Sequence, residues 1–311
     1  MTGTGRAVAG QNCAVENRDI THLRDLRAAG ASYPEAHRAV TGLQRLATGA
    51  YADSSGLKAE AVHVLQLAAR LGRIDGVVAS HASAAVLWGL PVRNSDLTTV
   101  HLSPVADRRG KPKAGTGHHI HTCEVGPTDI RIVSGLATTD ALRTVLDCAR
   151  VMDLDWGVVI ADASLHRGLV GIDELVTAAR GVRRTHGAAR ARSLPSRCSR
   201  AAESPGESLL RLRLLRMDLV PEEQVPMPWV EGNPRVDFLI GRLVIEFDGR
   251  SKYELDGDPA RAHWEEKRRH DRLLEAGYEV IHVVWAELWD EAALRARINR
   301  ALRRSRLRSA S

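Results

Sequence analysis

The stretch VDFLIGRLVIEFDG, residues 236–249, constrains the fold of this chain more than any other. Two apolar runs flank Gly241-Arg242, and a two-residue loop with glycine first is the pattern of a type II′ hairpin turn. Such a turn pairs Ile240 with Leu243 and fixes the register of both arms. Side chains alternate across a strand, so Val236, Phe238, Ile240, Leu243, Ile245 and Phe247 share one face. Arg235, Asp237, Leu239, Val244, Glu246 and Asp248 share the other. The first face is wholly apolar and asks for burial. The second sets Asp237 opposite Glu246 with Cβ atoms about 5 Å apart, and like charges so placed destabilise a sheet unless something neutralises them. A divalent cation would do so. Asp248 opposes Arg235 in this register, either as a further oxygen ligand or as half of an ion pair.

The charge distribution points to what such a site acts on. Residues 1–179 hold 18 basic and 18 acidic side chains. Residues 180–200 hold seven arginines and no acid, and residues 295–311 again seven arginines and no acid. Between them, residues 201–294 carry 12 basic and 20 acidic groups. An acidic core between two arginine-only segments suits a protein that lays an anionic polymer beside a cation site. A solvated helix and linker, with a frayed basic tail, gives the same composition. No apolar run reaches the ~18 residues of a membrane span and the first residues lack the apolar core of a signal peptide, so a cytoplasmic protein is expected. Cys13, Cys123, Cys148 and Cys198 form no C-x-x-C pair, and reduced thiols are expected.

Along residues 18–56 the pattern predicts helix, turn, short helix and a strand pair around Gly49, the outline of a small winged helix-turn-helix. Its second helix offers only His37 and Arg38, so the segment suits a protein contact or a degenerate wing as well as DNA. Residues 57–180 read as an α+β domain. LTTVHLS, HHIHTCEV and DIRIVS are its strands, with RRGKPKAGTG as a hairpin loop between the first two, and TTDALRTVLDCARVM is an amphipathic helix capped by Thr139 or Asp140. His119, His121 and Cys123 fall on one strand face, which fits a zinc site or an ordinary half-exposed strand. Residues 181–202 read as an arginine-rich linker and 305–311 as a basic tail. Residues 203–304 read as helix, strand, strand, helix, strand, helix, an α/β sandwich on a short mixed sheet. Glu207 sits in the first turn of its opening helix, and Trp264, Trp285 and Trp289 read as core or helix-docking residues.

Two resemblances follow. SHASAAVLWGLP, GLATTDALRTVLDCAR, DASLHRGLVGIDEL and GLQRLATGAYA, across about residues 18–180, resemble the AbiEi-like antitoxin and transcriptional-regulator proteins of type IV toxin–antitoxin systems. The residues that match are structural and imply fold and kinship. The order and residues of about 203–304 resemble the very-short-patch-repair-like endonucleases, with a related actinobacterial domain, in the PD-(D/E)XK nuclease superfamily. That resemblance implies a restriction-endonuclease-like fold, with Asp237 and Glu246 at the metal-binding acid positions, Glu207 at the first-helix acid, and Mg²⁺ (or Mn²⁺) as cofactor. The chain departs from the superfamily pattern at Asp248, where a lysine is usual, and at Val236, where a proline is usual. Lys252 stands near the place where the repair-like branch often has a histidine. It reads either as the group that assists the attacking water and the phosphate or as a surface lysine. His263, Arg268, Arg269 and His270 on the next helix are phosphate-contact or general-acid candidates, or a solvated face.

Two functional expectations result. One is a Mg²⁺-dependent endodeoxyribonuclease in DNA repair or phage defence, with DNA and a repair partner. The other is a non-catalytic DNA-binding regulator or antitoxin that keeps a degenerate nuclease domain, with a cognate toxin as partner.

Overall fold

The computed structural model describes residues 20–106, 115–183, 186–249 and 259–309, apart from the side chains of 259–263 and 308–309. The chain is a mixed α/β protein, with three sheets among the described residues. It divides into two compact units, the first within Met1–Ser164 and Gly168–Pro195, the second Leu165–Arg167 with Ser196–Ser311. Among the described residues no helix is long and apolar enough to cross a membrane.

The first unit opens with β1 (Thr21–His22), α1 (Leu23–Ala28), α2 (Tyr33–Ala39), β2 (Gln44–Ala47) and β3 (Ala50–Ala52), the strands ordered β1-β3-β2. Ser32 and Glu35 close a capping box at the head of α2. Helix α3 (Ala59–Leu71) follows. Strand β4 (Val77–Ala79), helix α4 (His81–Leu87) and strands β5 (Val100–Pro104), β6 (His118–Ile120), β7 (Ile130–Val133) and β8 (Leu136–Thr139) then build a five-stranded sheet, ordered β6-β5-β4-β8-β7. Its core packs Leu67, Val86, Val100 and Leu102 together. β5 and β6 pair in parallel, Val100 with His118 and Leu102 with Ile120, so they are not the two arms of a hairpin. Alternation in the sequence specifies the faces of those strands but not their direction, which is why the hairpin expectation fails. Residues 108–114 of that stretch lie outside the described residues.

Four helices complete this part of the chain: α5 (Ala141–Val151), α6 (Leu154–His166), α7 (Ile172–Gly181) and α8 (Ala188–Ser193). Asp140 caps α5 by accepting a 2.7 Å bond from the Arg143 amide. The arginine-rich segment is packed here. Ala188, Ala191 and Leu194 are buried. Arg190 donates to the Arg150 carbonyl at 2.5 Å and Arg192 to that of Val182 at 3.1 Å. Small apolar residues between the arginines make α8 amphipathic enough to dock, which a count of charges alone conceals.

The second unit holds α9 (Pro205–Arg216), β9 (Glu222–Pro226), β10 (Arg235–Ile240), β11 (Leu243–Asp248), α10 (Pro259–Glu275), β12 (Glu279–Val284) and α11 (Glu291–Ser309). The sheet order is β12-β11-β10-β9. Strand β10 runs antiparallel to both of its neighbours, β9 and β11, while β12 runs parallel to β11 after the α10 crossover. Ile240 pairs with Leu243 across Gly241-Arg242, and Gly241 has φ +60°, as the first position of a type II′ turn requires. Val236, Phe238, Leu243 and Ile245 are fully buried, so the apolar face is the core face. Leu239 and Val244, on the other face by alternation, are buried as well, in an apolar cluster with Met227, Val236, Tyr278 and Leu273 of α10.

Candidate active site

The hairpin ladder runs from Ile240 and Leu243 to Phe238 and Ile245 and puts Asp237 and Glu246 at the next step. There the carboxylate of Asp237 accepts a 2.8 Å hydrogen bond from the Phe247 amide through Oδ2. The pairing of β10 with β9 keeps one register on either side of Asp237, Val236–Val225 and Phe238–Glu223, which sets Asp237 opposite Gln224 with its left-handed backbone (φ +51°). Asp237 lies in the half of β10 away from the Gly241 turn.

Glu246 is buried on β11 and lies beside His282 of β12, its partner in the parallel register. Arg269 of α10 donates to Glu246 Oε1, and His282 Nδ1 stands 3.6 Å from Oε2. His270 faces His282 from α10, with Nδ1 and Nε2 3.3 Å apart and the rings stacked. Burial raises the Glu246 carboxyl above the usual carboxylate range. Arg269 pulls it back down, and Asp237 and Glu266 push it up.

Glu207 reaches the same end from the head of α9. Ser204 and Glu207 bond each other reciprocally: the Ser204 hydroxyl donates to Oε1 at 2.7 Å and accepts from the Glu207 amide at 3.2 Å. Glu207 Oε2 accepts from the Glu203 amide at 2.9 Å and from Gln224 Nε2 at 2.8 Å. Burial raises its pKa, and the Asp237 charge adds to the rise. Asp237 therefore acts on both buried acids, and Glu207, Asp237 and Glu246 form one electrostatic group.

Arg235, which shares the Asp248 side of the hairpin, pairs with Glu203 at 2.6 Å. Lys252 lies outside the described residues, as does the His263 side chain. Arg268 is stacked over Trp264, 4.6 Å from the ring centroid. Trp264 and Trp289 are exposed rather than core residues, whereas Trp285 meets the Phe247 ring edge to face at 5.2 Å. Sequence reasoning passed over His282 and Gln224. His282 is the one ionisable residue amid the apolar run of YEVIHVVW after Glu279, a signal of the kind that Asp237 and Glu246 gave. Gln224 carries no such mark.

On donor chemistry the acids fit a hard divalent cation. Asp237 and Glu246 are carboxylates, and Asp237 keeps one oxygen without a hydrogen bond among the described residues. They form no ready triad, since no group of three or more His, Cys, Asp or Glu among the described residues is arranged to hold a metal. In the first unit, His119 and His121 gather with His81 and His101. His101 Nδ1 lies 3.0 Å from His121 Nε2, the His81 ring stacks on His121 at 3.4 Å, and Cys123 contacts Arg150 at 3.5 Å.

No protein-family model and no curated protein matches the chain. Among solved structures, the chain is similar to the catalytic domain of the homing endonuclease I-Bth0305I. The likeness has a TM-score of 0.27 at 23% identity and covers 32% of this chain and 95% of that one.

Proposed function

We propose that the second unit is a Mg²⁺-dependent endodeoxyribonuclease that hydrolyses DNA phosphodiester bonds. The observation that carries this reading is the placement of Asp237, next to Glu246 in the hairpin register and bonded to the Phe247 amide, so that its charge bears on Glu207 and Glu246 together. A hairpin built for stability alone gains nothing from that crowding. Asp237 and Glu246 would hold the ion, with Asp248 as a further ligand. When bound, the ion supplies Lewis acidity toward the scissile phosphate and the attacking water. Glu207 fixes the head of α9 against β9 and maintains the negative field that draws a cation in. Lys252 orients the water and offsets charge on the phosphate. The first unit, with its winged-helix-like start, supplies a regulatory, AbiEi-like part, and the activity serves DNA repair or phage defence.

A second reading has a specific observation in its favour. Arg269 neutralises Glu246 without any cation, and Asp248 stands where the nuclease pattern has lysine. On that reading the unit is a degenerate nuclease fold that binds DNA within a type IV toxin–antitoxin regulator, with a toxin as partner. Nicking of supercoiled plasmid in Mg²⁺ against EDTA, by wild type beside Asp237→Asn and Glu246→Gln, decides between them. An enzyme loses at least about a hundredfold in rate on either change while DNA binding holds. Equal residual nicking in all three samples leaves the regulator.

A further inference from the structure

Arg269 is placed unlike a purely structural arginine. A guanidinium carries five N–H donors. Among the described residues, Arg269 uses one nitrogen for both of its hydrogen bonds, to Glu246 Oε1 and to the Arg235 carbonyl at 2.8 Å. Its Nε is buried without a partner. Its side chain is still 40% exposed, so a path to solvent is open. Arg93 shows the contrast, gripping Asp96 with two nitrogens at 2.9 and 3.1 Å and Asp153 with a third at 2.5 Å. Arg269 thus pairs with a buried acid through a single point and leaves most of its fork unspent. The neighbouring Arg268 is turned away onto Trp264.

We propose that Arg269 is an exchangeable clamp: it occupies Glu246 while no divalent cation is bound, and passes to a DNA phosphate oxygen when a cation takes Glu246. The inference rests on the reading of Asp237 and Glu246 as metal ligands. A divalent ion beside Glu246 and Asp237 repels the guanidinium and removes the charge that held it. The unspent fork then matches the two oxygens of a phosphate, which an ammonium would meet only as a point charge. One side chain so couples metal binding to DNA binding, since the phosphate that receives Arg269 also lowers the cost of vacating Glu246.

The test titrates Mn²⁺ alone into the full chain by calorimetry, for wild type, Asp237→Asn, Arg269→Met and Arg268→Met. Wild type binds the ion and Asp237→Asn abolishes binding. Arg269→Met tightens it about tenfold, because a competitor for a largely buried acid is gone, whereas Arg268→Met changes it by no more than about twofold. Arg269→Gln, which still hydrogen-bonds Glu246 without charge, gives the same tightening where the methionine variant fails to fold by circular dichroism. A second readout is the salt dependence of binding to random duplex. With Ca²⁺ present, Arg269→Met flattens the slope by about 0.9, the share of one neutralised phosphate, and without divalent ion it leaves the slope unchanged. Unchanged or weaker Mn²⁺ affinity in both Arg269 variants overturns the clamp and leaves the metal reading intact. Equal tightening in Arg268→Met overturns it as well, as a net-charge effect. Absence of Mn²⁺ binding in every sample removes both the metal reading and the clamp.

Discussion

The largely buried histidines and acids of this protein are shifted by burial first and by partners second. The histidines of the first unit show it most clearly. His101 is held down to about 4 and His121 to about 3, chiefly by burial, with the neighbouring imidazoles, and Arg150 in the case of His121, adding repulsion. Burial also lowers His81 well below the usual range. These rings pack as neutral groups, His101 and His121 sharing one hydrogen bond. An unfolded chain takes protons at these positions near the ordinary histidine value of 6.5, so protons bind it more tightly than the folded one. The histidine contribution to stability is therefore complete above pH about 6.5 and is lost as pH falls toward 4 and then 3. Melting temperature measured down that range should drop, and His121→Gln should flatten the drop. A wild-type profile level from neutral pH to about 4 would contradict the packing of neutral rings.

Elements follow the local sequence only as far as local rules reach. The hairpin was legible because glycine at a two-residue turn leaves one register, and Ile240–Leu243 pairing follows from it. The mixed sheet and the α9 cap were legible for similar local reasons: a helical crossover makes β12 parallel to β11, and Ser204 and Glu207 have the spacing of a capping box. Strand β9 was not legible, since EEQVP has neither clean alternation nor a bounding turn signal, and its pairing with β10 is a tertiary matter. The left-handed backbone of Gln224 on that strand was equally hidden, because glutamine carries no local sign of it. One joint between elements makes a sharp prediction. A Cβ on Gly206 would lie 1.9 Å from Phe247 Cε1, so glycine there is what lets α9 close on the strand that carries Glu246. Gly206→Ala should cost about 1–3 kcal/mol through overpacking, and Phe247→Leu in the same chain should recover part of that cost. Denaturant midpoints of the two single variants and the double variant measure the coupling. Strict additivity would mean that the ring moves aside freely and that Gly206 sets nothing.

At the scale of the whole molecule the excess positive charge is spent unevenly, and that decides which arginines can hold a polyanion. In the first unit Arg190 and Arg192 are bonded to backbone carbonyls. In α11, Arg304 pairs with the buried Glu279 at 2.6 Å, Arg297 pairs with Glu287, and Arg295 donates to the Arg216 carbonyl at 3.0 Å. Arg300, Arg303 and Arg306 are exposed and form no ion pair among the described residues. The helix runs on to Ser309 with Ala301 and Ser305 buried, so cutting the chain after Ala301 would damage packing as well as charge. Point changes separate the two effects. Replacing Arg300, Arg303 and Arg306 by glutamine should leave the melting temperature within a degree or two, as surface changes do, and flatten the salt dependence of binding to random duplex by about 0.9 for every phosphate no longer neutralised. Arg304→Gln should do the reverse, lowering the melting temperature because the ion pair between Arg304 and the buried Glu279 is lost, while the slope stays near that of wild type. Should the triple variant keep the wild-type slope, the exposed arginines of α11 serve solubility, and any phosphate-binding surface lies elsewhere on the molecule.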